Sequence, residues 1–388
     1  MKLTQQHRHF FSAALAGALC MGWASASHAV EVAPPPALTN KAFVLMEFDT
    51  GQILASSNPE VPLPPASLTK MMTSYIVEQS LKSGRLKPTD QIAVSLNAWC
   101  RGSSTESCMY LPLNSHASVM DMLRGIIVQS GNDASKAVAE HLGGSEPAFA
   151  QTMNSEAKRI GMTHTHFENA TGLPAPGHLA SAHDLALLAR AIIRDSADYY
   201  PIYAEKDFKF NGIKQGNRNA LLYTDPTVDG LKTGHTEDAG YCLTASAKRG
   251  GMRLISVVMG ATSMQDRADQ TRSLFNWGFS SFEKARPLAA GAVVASPVVQ
   301  FGKADNVRVG VAQDWDLMVP RGQASRVQTT TQLNADLRAP IAKGAVVGKV
   351  VAMLDGKALA ERPLVAFDPV ESSGFFLSTW QHIRKLFK

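Results

Sequence analysis

Pro62-Leu-Pro-Pro-Ala-Ser67-Leu-Thr-Lys70-Met-Met-Thr-Ser-Tyr-Ile76-Val-Glu-Gln-Ser-Leu81 decides the fold. Its three prolines force an extended entry and stop any earlier helix. From Ser67 the apolar residues fall at 68, 71, 72, 75 and 76, a helical period that buries one face. Ser67 therefore stands at a helix N-terminus, and Lys70, three residues on, shares its face. Upstream, 41–56 reads as a hairpin turning at Asp49-Thr-Gly51. Downstream, one helix is predicted from Ser118, with Asp121 as its capping-box partner, to about Gln129, and another over 133–142. Ser130-Gly-Asn132 is the tight turn between them. Over 228–233, 240–247 and 252–259 the pattern returns to β, with an Arg249-Gly-Gly251 turn before the last run. Strands at both ends with helices between make this first domain α+β.

At about 150 residues per domain, 388 residues favour two domains. A chain that is 45% hydrophobic and 18% charged is ordinary globular composition, and no stretch approaches the ~20 apolar residues of a membrane span. Disorder and a multi-pass membrane protein are thereby set aside. Past about Arg286 the helical period gives way to short alternating runs, such as 307–311 and 350–354, the latter followed by Asp355-Gly356. A small all-β domain is expected over 286–369, as a spacer or recognition module without a catalytic constellation of its own.

Lys2 and Arg8 precede an uncharged run over 10–23, and Ser27-His28-Ala29 offers a small-x-small cleavage site, the pattern of a secretory signal peptide over 1–29. Its removal lowers the net charge from +5 to +3, too weak for a nucleic-acid binder. At the other end, Phe376, Trp380, Ile383 and Phe387 share one helical face, with Gln381, Lys385 and Lys388 opposite. About 15 residues reach only ~22 Å, short of a ~30 Å hydrocarbon core, so the segment 370–388 reads as an amphipathic helix lying in a membrane surface. Export leaves Cys100, Cys108 and Cys242. The first two enclose seven residues and are a candidate disulfide, and Cys242 sits in an apolar strand-like run.

Ser-x-x-Lys occurs three times, at 67/70, 155/158 and 281/284, but only the first precedes both the single Ser-Gly-Asn at 130–132 and the single Lys-Thr-Gly at 232–234. That ordered triplet is a specific signal of acyl transfer by a serine. A hydroxyl is a poor nucleophile until a neighbouring base takes its proton, so Lys70 must be neutral to act. Burial, the positive end of the helix and a second cation at Lys232 all push its pKa down. Ser130 is expected to bridge Lys70 and Lys232 and relay a proton to the leaving amine, and Asn132 to hold a substrate peptide group. Lys232 and Thr233 are expected to receive a substrate carboxylate. The N–H groups of Ser67 and His235 form the expected oxyanion hole, worth a few kcal/mol per donor.

Pro65-Ala-Ser-Leu-Thr-Lys-Met-Met-Thr73, Gln129-Ser-Gly-Asn-Asp-Ala134, Asn217-Arg-Asn219, Val228-Asp-Gly-Leu-Lys-Thr-Gly-His235 and Arg253-Leu-Ile-Ser-Val-Val-Met-Gly260 together resemble the serine-type D-alanyl-D-alanine carboxypeptidases, the low-molecular-mass penicillin-binding proteins. The resemblance implies an α+β fold: a penicillin-binding/β-lactamase-like transpeptidase domain over 30–285, then a small all-β stalk and a C-terminal amphipathic anchor helix. It implies Ser67 as acyl-ester nucleophile, Lys70 as general base, Ser130 as relay and Lys232 as carboxylate-binding residue, with Asn132, Thr233 and Gly234 on the substrate side. Arg218 resembles the family's second basic group near that carboxylate, although from the residues alone it reads equally as a surface arginine. The side chain of His235 is expected to touch substrate. The implied partners are peptidoglycan pentapeptide, β-lactams as inhibitors, and the periplasmic face of the inner membrane. No metal or organic cofactor is needed. The Cys100–Cys108 segment departs from the family, lying where its members carry a loop close to the active site.

Three alternatives are weaker. A class A β-lactamase would be a single domain with a glutamate-bearing deacylation loop, which no segment resembles, and Gly131 replaces the usual Asp of its middle motif. A catalytically silent peptidoglycan-binding scaffold conflicts with the intact triplet. A metal hydrolase, prompted by His164-Thr-His166, lacks a matching cluster of ligands along the sequence.

Overall fold

The computed structural model describes residues 32–101 and 106–373. Its first body is built on a five-stranded antiparallel sheet ordered Ile53–Ser57, Ala42–Glu47, Met252–Ala261, Gly240–Arg249, Val228–Thr236. The N-terminal hairpin thus pairs with the last strand of the domain, Val44 opposite Val257, and leaves Val228–Thr236 as a sheet edge. Alternation along the strands feeds two cores: Val44, Met46 and Val257 face the main helical layer, and Leu45, Leu254 and Val258 face the helix Met264–Ser281.

The helix expected from Ser67 is divided. Ala66–Thr69 forms a 3₁₀ turn and the α-helix runs Lys70–Lys82. The one-sided burial read from its periodicity is corrected as well, since eleven of its thirteen residues are buried between the sheet and neighbouring helices. Its polar positions survive there because they are bonded: Thr73 donates to the Ala170 carbonyl, and Glu78 accepts from Tyr203.

Val119–Ile127 begins at an N-cap Ser118 whose hydroxyl accepts from the Asp121 N–H, and Asn132–Gly143 follows after the Ser130-Gly131 turn. Three helices that the sequence reading left unnamed, Glu146–Arg159, Ala182–Asp195 and Met264–Ser281, also begin at serine caps, Ser145, Ser181 and Ser263.

The second body is built of strands, with a short 3₁₀ turn at Ala324–Arg326. One sheet runs Val293–Ala295, Val309–Gly310, Lys357–Ala366, Val346–Leu354, Gln328–Leu333, and Phe282–Leu288 pairs with Trp315–Pro320 beside it. Its core gathers Trp315, Val350 and Leu364. Asp355 and Gly356, both at positive φ, make the tight turn between the two longest strands. Val370 bridges Ile341 and Ser372 bridges Gly302, so 370–373 belong to this β body and not to a terminal helix. The signal peptide expected over 1–29 and, of the anchor helix expected over 370–388, the residues from 374 onward lie outside the described residues.

Candidate active site

The edge strand Val228–Thr236 lies against the Ala66–Thr69 turn, and glycine at 234 eases the close approach. A Cβ there would sit 3.0 Å from the Pro65 carbonyl oxygen and 3.2 Å from the Ser67 nitrogen. The turn is pressed from its other side by Gly172, at φ +83°, where a Cβ would lie 1.8 Å from the Ala66 carbonyl oxygen. Ala66 and Ser130 both take positive φ, +47° and +60°, a conformation that costs a non-glycine residue about 1–3 kcal/mol and clusters where function demands it. The nucleophile turn is clamped between strand and loop.

Ser67 is half-buried, and its Oγ stands 3.0 Å from Lys70 Nζ. Residues three apart on a 3₁₀ turn eclipse, which brings the pair together. Lys70 is fully buried and also donates to the Thr171 carbonyl at 2.6 Å. Burial, then the positive charge of Arg218, lowers its pKa to about 7, against partial opposition from Asp133 and Glu106. Lys232 Nζ donates to Ser130 Oγ at 3.0 Å and to its neighbour's carbonyl, that of Thr233, at 3.1 Å. Burial and the charges of Lys70, Arg218 and Arg267 hold Lys232 well below the usual ammonium range. Of the bridge expected at Ser130, the arm to Lys232 is formed. Among the described residues Lys70 turns instead to Ser67 and Thr171.

A cleft of about 300 Å³ opens above these groups, lined by Ser67, Ser130, Arg218, Thr233, Gly234 and His235 of the predicted set. Lys70 and Lys232 lie buried beneath it. Arg218 is exposed and donates to Ser107 Oγ at 2.6 Å, so it is a cleft residue with a fixed partner. Asn132 Nδ2 donates to Glu106 Oε2 at 3.0 Å, and its backbone N–H donates to the Ser107 carbonyl at 2.7 Å. The side-chain amide expected to hold substrate is thus already engaged by the 106–108 wall. The Cys100–Cys108 disulfide is formed and ties down that wall, and Cys242 is free and buried.

The sequence reading missed Ser107, Tyr241 and Arg267, which also line the cleft. Tyr241 stacks on His235 with ring centroids 4.0 Å apart, a pairing that follows from the strand register. Arg267 comes from the helix Met264–Ser281, where it is buried and donates to the Gly234 carbonyl at 3.1 Å. The Thr171 carbonyl was missed too. Its signal was the Asn169-Ala-Thr-Gly172 turn, in which Asn169 Oδ1 accepts the N–H groups of Thr171 and Gly172.

A sheet covered by helices, with a serine at the head of the buried helix and a desolvated lysine one turn on, is the architecture of the penicillin-binding serine hydrolases. Residues 28–263 match the D-alanyl-D-alanine carboxypeptidase family, and residues 282–372 match the C-terminal domain of penicillin-binding protein 5. The chain is 41% identical over 385 residues to D-alanyl-D-alanine carboxypeptidase DacA of Escherichia coli K12, covering 96% of each. It superposes on penicillin binding protein 5 from Haemophilus influenzae with a TM-score of 0.85 at 44% identity, over 88% of this chain and 100% of that one. The ampicillin-bound form of penicillin-binding protein D2 from Listeria monocytogenes matches 63% of this chain and 100% of its own at 29% identity and a TM-score of 0.58. The chain belongs to the D-alanyl-D-alanine carboxypeptidase family.

Proposed function

We propose that the protein is a serine-type D-Ala-D-Ala carboxypeptidase that removes the terminal D-alanine from peptidoglycan pentapeptide side chains and is acylated at Ser67 by β-lactams. The observation that carries this reading is the 3.0 Å approach of Ser67 Oγ to a fully buried Lys70 whose pKa is lowered to about 7. Neutral Lys70 takes the Ser67 proton as Oγ bonds to the carbonyl carbon of the penultimate D-alanine. The N–H groups of Ser67 and His235 accommodate the oxyanion. Collapse breaks the C–N bond, the proton taken up by Lys70 passes through Ser130 to the departing amine, and D-alanine leaves an ester on Ser67. Water then attacks the ester, giving a proton to Lys70, which returns it to Ser67 Oγ as the ester C–O bond breaks.

Arg218 and Thr233 receive the substrate carboxylate, with Arg267 as a second guanidinium, while Lys232 holds Ser130 from beneath. A β-lactam presents a similar carboxylate and amide, but its cleaved amine stays tethered, so hydrolysis of the ester is slow. The β body and the family membership remove the single-domain β-lactamase reading.

The test is mass spectrometry of the purified protein with a diacyl D-Ala-D-Ala peptide and with penicillin, beside Ser67→Ala. Free D-alanine and a penicilloyl adduct on Ser67, both lost in the variant, are expected. An adduct without D-alanine release would favour a silent scaffold. The signal pattern over 1–29 and the one-sided aromatic face of the last segment support an exported protein held peripherally on the periplasmic side of the inner membrane. Deleting 374–388 should release it to the soluble fraction, and persistence in membranes would refute the anchor.

A further inference from the structure

The fold assembles a second cluster of chemistry-bearing side chains away from the cleft. Glu60, in the segment leading to the nucleophile turn, sets its two carboxylate oxygens against two histidines: Oε1 lies 2.7 Å from His183 Nδ1 and Oε2 lies 3.0 Å from His164 Nδ1. Asp184, the next residue after His183 at the start of the helix Ala182–Asp195, completes the group. The ligating atoms of Glu60, His183 and Asp184 all lie within 4.8 Å of one another.

Among the described residues Asp184 Oδ1 is buried with no hydrogen-bond donor, and Glu60 Oε2 has only its ion-pair contact with His164 Nδ1. Asp184 is wholly inaccessible, and its other oxygen is held by the His164 N–H and the Thr165 hydroxyl, both at 2.7 Å. A buried carboxylate oxygen without a donor loses its hydration uncompensated, a cost that a cation among these atoms removes. The bonds to Oδ2 orient the carboxylate as an outer shell orients a metal ligand.

We propose that Glu60, His164, His183 and Asp184 bind one zinc ion. Two imidazole nitrogens and two carboxylates form a donor set suited to a borderline divalent ion, and not the all-oxygen cage of magnesium or calcium. Tetrahedral zinc with bonds near 2.0–2.1 Å places its ligands about 3.4 Å apart; the atoms of Glu60, His183 and Asp184 already lie within 4.8 Å of one another, and His164, which touches the other oxygen of Glu60, swings in as the fourth ligand. Glu60 and His164 are each 45% exposed, which leaves the ion a path of entry. The ion would displace the direct contacts of both Nδ1 atoms with Glu60 and that of the Thr163 hydroxyl, 3.1 Å from His164 Nδ1. His166, the other half of the His-Thr-His motif, points elsewhere and pairs with Glu168. The ion would join three stretches of chain, around residues 60, 164 and 183. It would reinforce contacts already made by the His183 N–H to the Pro59 carbonyl and by the Leu63–Ala180 bridge.

The purified protein without an affinity tag, stripped with chelator, equilibrated with zinc chloride and desalted, should retain one zinc per chain by elemental analysis. Its melting temperature should rise by several degrees in micromolar zinc. The His164→Ala/His183→Ala double variant should lose both effects while still releasing D-alanine, and Glu60→Gln should weaken zinc binding at least tenfold. His166→Ala should retain the metal. No retained zinc in the parent protein, equal retention in the double variant, or stabilisation by magnesium and not by zinc would each overturn the proposal.

Discussion

Lys70 donates a 2.6 Å hydrogen bond to the main-chain carbonyl of Thr171 while its nitrogen stands 3.0 Å from Ser67 Oγ. A neutral amine has two N–H groups and one lone pair. With one N–H committed to Thr171, the lone pair can turn to the serine proton. The Asn169–Leu173 turn that supplies this carbonyl also meets the nucleophile turn at Gly172, so one loop orients the base and braces the serine.

The acid limb of kcat/KM should therefore report Lys70. Burial and Arg218 lower its pKa to about 7, so activity on a diacyl D-Ala-D-Ala peptide should rise through about pH 7 as the amine loses its proton. Arg218→Gln removes a cation that favours the neutral form, and the limb should move to higher pH along with any loss of carboxylate binding. A limb that stays in place would show that Arg218 has no hold on the base.

Gly234→Ala tests the contact between strand and serine. The added methyl would meet the Pro65 carbonyl at 3.0 Å and Ala66 Cβ at 3.2 Å, pushing the edge strand and the His235 N–H away from the turn. The neighbours must give by a few tenths of an ångström, and since a misplacement of about 1 Å costs about 10²-fold, acylation by penicillin, followed by stopped flow, should slow by a smaller factor, about several-fold to tenfold. The melting temperature should change little, because the displaced strand is a sheet edge.

What was legible in the sequence was local. Ser67 with Lys70, Ser130 with Asn132, and Lys232 with Gly234 are fixed by short spacings on turns, helices and strands, and the structure brings them to one place. Arg267 was not legible, because it reaches the cleft from a helix whose position depends on packing against Leu45 and Leu254. Ser107 was hidden for a similar reason, since its place follows from the bond of its carbonyl to the Asn132 N–H. The periodicity of 67–81 marked a helix but understated its burial, since bonded polar residues such as Thr73 read as a solvent face. Lys232 was expected as the cation acting on Lys70; burial comes first for both lysines, and Arg218 joins it at each.

Glu78 should impose a pH dependence on stability that is separate from catalysis. Burial raises its pKa from 4.5 to about 7, against partial opposition from hydrogen bonds with Ser196 and with Tyr203, which donates to Oε1 at 2.8 Å. A carboxyl raised in the folded state contributes stability that is fully present below pH 4.5 and is lost as pH climbs through 7. Glu78→Gln keeps an acceptor for Tyr203 and removes the ionisation. Denaturant melts should show a flatter profile between pH 4.5 and 7 and a gain on the order of 3 kcal/mol at pH 8. An unchanged profile would mean that Glu78 is ionised without penalty.

The Cys100–Cys108 bond should matter to both stability and turnover, because Cys108 directly follows the two residues that hold the cleft wall. Glu106 fixes the Asn132 side chain, Ser107 fixes Arg218 and the Asn132 backbone, and Gln215 donates to the Cys108 carbonyl at 2.9 Å. Closing so short a loop restricts the unfolded chain by about 2–3 kcal/mol in the chain-entropy account, so Cys108→Ser should lose about that much in denaturant melts. With the wall untethered, Arg218 and Asn132 lose their fixed partners, and kcat/KM for the peptide should fall several-fold. Deacylation of the penicilloyl ester, followed by mass spectrometry, should change alongside it. Reduction of the parent protein should reproduce the kinetic effect, while a fall in stability with all rates unchanged would confine the disulfide to holding the fold.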